Sequence, residues 1–346
     1  MDLNSIFFLI FFFIFFLIIF KKLNIFVDNT NYSDHKKIGI ENFKPIVMGG
    51  FYITLVVCIF FPKEFNLLKI ATIFVFLIGL LSDRNFLPSP KYRIILQVII
   101  LSLLVFFEQL SISSININFI DQLFKNNIFN LIFIVFCLSI LLNGSNFLDG
   151  LNGLVTGYYL IILSSLIFLN NFHLDFFIIN INEINLIEIL FFSLIIFFIF
   201  NLIGLVYLGD SGAYILGLLV GFILIKMNQQ NDFISPYYVV NMLWYPAFEN
   251  LFSLIRRVYN KQSISVADKL HLHQLVYRFL KSKKIINKRI ANPLSSLIIL
   301  CFFIPGIFLS NLVYWHTANL IIILLCNIAI YLILFFLISK NFIHKK

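Results

Sequence analysis

The sequence predicts an all-α, polytopic transmembrane helical bundle of about 11 spans, with the N-terminus outside and the C-terminus inside. Two features of composition and two of pattern point that way. Charged residues make up 12% of the 346-residue chain and hydrophobic ones 61%, whereas a soluble domain carries roughly 25% charge. A water-soluble globule with so few polar groups could not cover its own surface. The apolar residues also come in long unbroken runs, which is how a chain reads when its solvent is lipid. Finally, lysine and arginine fall unequally on alternate loops, as topology in a bilayer requires.

The spans are read at residues 5–20, 46–62, 66–82, 93–108, 127–142, 151–170, 185–201, 212–227, 236–253, 294–312 and 317–339. The first run has only Asp2 ahead of it and no basic leader. It is followed directly by Lys21-Lys22, so it is expected to be a retained anchor and not a cleaved signal. With the N-terminus outside, 21 of the 25 Lys and Arg residues lie on inner loops, and this asymmetry sets the orientation. Most of that basic charge is explained by topology and contact with anionic lipid headgroups. Nucleic acid is excluded as a partner, since no soluble domain exists to present a groove. The whole of 1–346 reads as a single integral membrane unit, with its polar motifs confined to 44–274. Cys58, Cys137, Cys301 and Cys326 sit in apolar runs without a C-x-x-C pair, and are expected to be buried small hydrophobes, not metal ligands or disulfides.

The polar residues that remain collect on one side. Lys44-Pro45 leads into Gly49-Gly50. The next inner loop holds Ser82, Asp83 and Arg84, followed by Lys91, Arg93 and Gln97. Then come Asn143, Asn146, Asp149, Asn152 and Gly153, next Asn201 with Leu208-Gly209-Asp210-Ser211-Gly212, and last Glu249, Asn250, Asp268, His271, His273 and Gln274. A transporter more often places ionisable groups near the midplane, at broken helices. Their gathering at one interface suits an enzyme that joins a soluble donor to a lipid acceptor. A charge in the bilayer core costs about 2.5–3.5 kcal/mol or more, so Asp149 and Asp210, each beside a glycine at a span edge, stand out. Carboxylates together with substrate phosphates are the usual surroundings of Mg²⁺. Gly209 and Gly212 would let backbone approach a diphosphate, and the helix that follows would offer it free N–H groups. The three-residue spacing of Asn143, Asn146 and Asp149 puts them on one face of a helix. His271 and His273 could neutralise a pyrophosphate or position a base.

At these residues the chain resembles the polyprenyl-phosphate N-acetylhexosamine-1-phosphate transferases, glycosyltransferase family 4 relatives of phospho-N-acetylmuramoyl-pentapeptide transferase. Asn143 through Leu154 is similar to the family's N-x-x-N-x-x-D-G-x-x-G-L. Leu208 through Gly212 is similar to its G-D-x-G, and Asp268 with Leu270-His271-Leu272-His273 to its final histidine motif. Ser82-Asp83 through Gln97 resembles its D-D loop, and Gly49-Gly50 its early double glycine. The likeness runs in order over about residues 40–280 and implies a cytoplasmic-face active site in a bacterial inner membrane.

The resemblance implies transfer of a sugar-1-phosphate from a UDP-sugar to polyprenyl phosphate, with Mg²⁺ as cofactor and Mn²⁺ as a substitute. It makes Asp210 the metal ligand, with Asp83 beside it and the lipid phosphate, and His271 and His273 near the diphosphate. Asn143, Asn146, Asp149 and Asn152 fall around the nucleotide-sugar, Asn152 close to the uracil, while Arg93 and Asn201 are further substrate-side candidates. A homodimer is allowed, though not required, by the sequence. Ser82 stands where the family has the first aspartate of its pair, Arg93 where it has lysine and Gln274 where it has a third histidine. The segment between Asn201 and Asp210 lacks the family's proline. The competing readings are a lipid-linked transporter and, because of Ser82, an inactive regulatory paralogue.

Overall fold

A computed structural model of the chain describes residues 3–27, 45–172, 181–261, 270–282 and 287–343. Lys44 and Asp268 of the motifs above lie outside the described residues. Among these residues thirteen α-helices and two very short strands follow in order. They are α1 (Leu3–Leu23), β1 (Ile46–Val47), α2 (Gly49–Phe60), α3 (Asn66–Asp83), α4 (Pro90–Phe107), α5 (Asn118–Phe124), α6 (Asn127–Leu148), α7 (Leu154–Phe172) and α8 (Ile181–Leu202). After these come β2 (Val206–Tyr207), α9 (Gly209–Gln230), α10 (Pro236–Tyr259), α11 (Leu272–Ser282), α12 (Lys288–Leu312) and α13 (Thr317–Ile343). Among the described residues nine helices are long and apolar enough to cross a bilayer: α1, α3, α4, α6, α7, α8, α9, α12 and α13. The protein is a polytopic helical membrane protein.

The other two expected spans differ from what hydropathy alone implied. The run from residue 46 does not begin as helix: Ile46–Val47 is extended and pairs in parallel with Val206–Tyr207. Helix α2 then has only 12 residues, about 18 Å at 1.5 Å per residue, against a hydrocarbon core of about 30 Å. Helix α10 is long enough at 24 residues, but it carries Glu249, Arg256 and Arg257 and contains Pro246. Two short helices, α5 and α11, were not anticipated.

Helix α9 is the axis of the bundle. From Gly209 to Met227 every residue is buried except Asp210 and Lys226, one near each end. It packs most extensively on α3 and α6, then on α2. The peripheral helices show the opposite pattern: α1 buries Leu9 and Phe13 but turns Phe7, Phe8, Phe11 and Ile18 outward, as a surface bathed in acyl chains requires. The cysteines follow this logic and correct the expectation of burial. All four are free thiols, with Cys58, Cys301 and Cys326 exposed and Cys137 half-buried. A small hydrophobe is equally at home against lipid.

Local chemistry fixes several junctions that hold the site. Asn126 caps α6 by accepting from Ile128 N at 2.9 Å and Phe129 N at 3.3 Å, and Pro90 and Pro236 occupy first-turn positions where no N–H is needed. Inside α10, Pro246 lacks the N–H that would bond to the carbonyl four residues back, and the Tyr158 hydroxyl donates to that Met242 carbonyl at 2.8 Å. Gly144 of α6 lies so close to the proline that an added Cβ would sit 2.1 Å from the Pro246 carbonyl oxygen. Two extended-to-helix junctions lie side by side, β1 into α2 and β2 into α9. An added Cβ on Gly49 would come 2.7 Å from Leu208 Cα, and one on Gly50 2.3 Å from Ser211 Oγ. Gly79 in α3 is tighter still, 2.2 Å from Ser211 Cα.

Since that last obstruction is backbone, Gly79→Ala must push α3 and α9 apart. It is expected to cost about 1–3 kcal/mol, read as a lowered unfolding midpoint of the detergent-purified protein, and a midpoint equal to wild type would refute the contact.

Candidate active site

The site begins at the first turn of α9. Gly209 has φ +76°, a left-handed conformation that favours glycine, and an added Cβ would lie 2.9 Å from Asp83 Oδ2. Asp83 is one helical turn beyond Gly79 on α3, so the close approach at Gly79 carries the carboxylate to the end of α9. There Oδ1 accepts from Asp210 N at 2.8 Å, and Oδ2 accepts from Ser211 N at 3.3 Å and from Ser211 Oγ at 2.9 Å. The sequence reading left those N–H groups free for a substrate anion; instead, the chain's own Asp83 carboxylate takes them. A negative group at a helix N-terminus is stabilised both by these bonds and by the helix dipole.

Asp210 points the other way, into a second set of partners. Its Oδ2 accepts from Ser82 Oγ at 2.6 Å and from Arg93 Nη1 at 3.0 Å. Arg93 Nη1 also donates to Ser82 Oγ and, at 3.4 Å, to the Tyr214 hydroxyl. Tyr214 lies four residues after Asp210, on the same face of α9, and accepts from Asn146 Nδ2 at 3.0 Å. The two departures at 82 and 93 therefore touch each other and the same carboxylate. Tyr214 was not among the candidates; its i+4 spacing from Asp210 was the signal available.

Helix α6 runs through Asn143 and Asn146, as the spacing implied, and ends at Leu148 with Asp149 as its C-cap. Asn143 Nδ2 donates to Gln97 Oε1 at 3.0 Å, joining α6 to the buried amide of α4. Beyond Asp149 the chain turns through Asn152 and Gly153. Asn152 N donates to Asn292 Oδ1 of α12 at 2.8 Å, while Asn152 Nδ2 is buried without a hydrogen-bond partner among the described residues. Asn201 is buried and its amide is engaged by protein on both sides. Oδ1 accepts from Gly153 N at 2.8 Å and Thr156 Oγ1 at 3.3 Å, and Nδ2 donates to the Val206 carbonyl at 2.9 Å. That side chain ties the turn after the Asn146–Asp149 motif to the strand that leads into Asp210.

The histidines come from the start of α11. His271 and His273 are buried, with rings 5.4 Å apart and nearly parallel at 10°. His271 also lies 5.5 Å, centroid to centroid, from Phe147 in the Asn146–Asp149 motif, so the structure brings the two motifs together. Its Nδ1 is 2.9 Å from Glu249 Oε1, and Glu249 is itself fully buried on α10. Glu249 was read among the polar residues of the inner face but given no role in the site, and Asn292 was not among the candidates. An acid or amide inside an otherwise apolar run was the only sequence signal for either.

Residues 65–228, which contain Ser82 through Asp210, match the model of glycosyl transferase family 4. Over that segment the chain is similar to this family. It is also 24% identical over 316 residues to a Bacillus subtilis (strain 168) protein described as a probable undecaprenyl-phosphate N-acetylglucosaminyl 1-phosphate transferase, covering 86% of this chain and 80% of that one. Glu249 and both site histidines lie beyond the matched family segment.

The two aspartates differ in their fitness for a metal. Among the described residues no three His, Cys, Asp or Glu side chains gather into a metal cage. A Mg²⁺ held by one or two carboxylates and substrate phosphates needs none. Asp210 fits that arrangement, because Oδ2 carries both of its hydrogen bonds and Oδ1 has no partner among the described residues. Asp83 fits it less well, because both of its oxygens already hold the first turn of α9.

Asn201→Ala would strand Gly153 N and the Val206 carbonyl in the interior, at about 1–3 kcal/mol for each buried unsatisfied group. The unfolding midpoint should fall while the KM for substrate stays within about twofold. A raised KM with unchanged stability would instead mark Asn201 as a ligand contact.

Proposed function

We propose that this protein transfers a sugar-1-phosphate of N-acetylhexosamine type from a UDP-sugar to polyprenyl phosphate, releasing UMP and starting a lipid-linked cell-surface glycan. The observation that carries this reading is the meeting of Asp210, Ser82, Arg93, Tyr214 and Asn146 in one hydrogen-bonded cluster at the foot of the central helix. The activity ascribed to the Bacillus subtilis relative supports the same chemistry. The excess of Lys and Arg on the inner loops supports a cytoplasmic site, with the bacterial inner membrane as its setting.

In the proposed reaction an oxygen of the acceptor phosphate attacks the phosphorus bonded to the sugar. A new P–O bond forms there, the bond to the α-phosphate oxygen breaks, and UMP departs with that electron pair. A phosphate monoester is largely doubly ionised near pH 7, its second pKa being about 6, so Ser82 in place of a carboxylate removes no required base. Arg93, fixed by Ser82 and Asp210, supplies positive charge toward the transferring phosphoryl group. Asn146, held by Tyr214, and Asn143, Asp149 and Asn152 line the donor side. His271 and His273 lie toward the diphosphate. Bound at Asp210, Mg²⁺ (or Mn²⁺) would supply Lewis-acid neutralisation of the donor phosphates. Asp83 keeps Asp210 in register through the backbone.

The test is UMP release by detergent-purified protein given polyprenyl phosphate and a panel of UDP-sugars, with the lipid product identified by mass. Release should require the lipid and no ion gradient. Asp210→Asn should lower it by about 10²–10³-fold or more while the protein remains folded in membranes, and a wild-type rate in that variant would exclude the metal assignment. Ser82→Asp addresses the inactive-paralogue reading: a silent wild type revived by this change would replace the proposal.

A further inference from the structure

Glu249 is a fully buried carboxylate that no step above requires. It sits on α10 three residues after Pro246. Oε1 meets two nitrogens of the histidine motif: it lies 2.9 Å from His271 Nδ1 and accepts from Leu272 N at 3.3 Å. Leu272 is the first residue of α11, so one oxygen both fixes an imidazole and occupies the electropositive start of a helix. The same imidazole packs on Phe147, beside Asn146. A buried carboxylate without partners would cost several kcal/mol, so a backbone N–H and an imidazole nitrogen converging on one oxygen mark an organised pair and not an incidental contact.

We propose that Glu249 is the positioning residue for His271: it holds the imidazole with its proton on Nδ1, and thereby directs Nε2 to the substrate side of the motif. An imidazole whose Nδ1–H is held by a carboxylate has one tautomer in its neutral form, and the carboxylate stabilises the cation if Nε2 takes a proton. Resting on the transferase reading, this makes His271 Nε2 the nitrogen that meets the donor diphosphate, with Glu249 acting only through it.

The experiment combines Glu249→Gln, Glu249→Ala, His271→Gln and the Glu249→Gln/His271→Gln double variant. In lipid-dependent UMP release, Glu249→Gln should lower kcat about 10–100-fold, the usual cost of removing such an orienting partner, with KM for the UDP-sugar within about twofold. In the His271→Gln background the same change should have no further effect. Losses that multiply in the double variant, or a raised KM with kcat intact, would overturn the proposal in favour of a packing role. A second readout does not depend on turnover. In ¹⁵N-histidine-labelled protein, with the His271 signal identified by its absence in His271→Gln, the proton should reside on Nδ1 and lose that preference in Glu249→Ala. A wild-type proton on Nε2 would overturn the proposal directly. A wild type without turnover but with the Nδ1 proton would leave the pair standing and reject the transferase reading alone.

Discussion

The hold of Asp83 on the first turn of α9 is the constraint on which the site depends. Helix α9 is the most buried element of the bundle, and its two half-exposed residues in the stretch from Gly209 to Met227 are Asp210 and Lys226. Asp210 can project from such a helix only if the N–H groups around it are satisfied, because in a low-dielectric interior each orphaned backbone group is costly. Asp83 satisfies two of them, and Gly79 and Gly209 allow the carboxylate to come within reach. Two acids that look alike in sequence thus do different work: one anchors backbone, and the other faces Arg93 and Ser82.

The same economy runs through the buried amides. Asn130 bridges the Ile112 backbone and the Phe124 carbonyl, and Asn241 donates to the Tyr237 and Leu320 carbonyls. Asn250 reaches the Ile140 carbonyl, and Asn201 spans two turns. Helices in lipid gain little from burying apolar surface against one another, so packing and side-chain hydrogen bonds of this kind determine how they associate. Asparagines that could be taken for compositional background are therefore the joints between helices, and at Asn201 such a joint adjoins two motifs.

Helix α10 links the membrane bundle to the histidines. The proline inside it frees the Met242 carbonyl for Tyr158, and Gly144 lets α6 rest against the proline itself. That contact sets the height of Glu249 relative to the end of α6. Glu249 in turn meets His271, which packs on Phe147. The histidine motif is therefore registered against the Asn146–Asp149 motif through three helices, although more than a hundred residues of chain separate the two.

Hydropathy and charge determined by themselves that this chain is a helical membrane protein. Lipid as solvent admits few other structures, and long apolar runs are legible residue by residue. The acids, amides and imidazoles at span edges were legible as well, since polar groups there are costly unless they serve some purpose. Tertiary structure alone decided which of them meet. The extended pair Ile46–Val47 with Val206–Tyr207, the capture of Asp210 N by Asp83, the bridging by Tyr214 and the Glu249–His271 contact join positions far apart in the chain. No local propensity encodes such meetings: they arise where glycines let backbones approach and where a buried donor must find an acceptor.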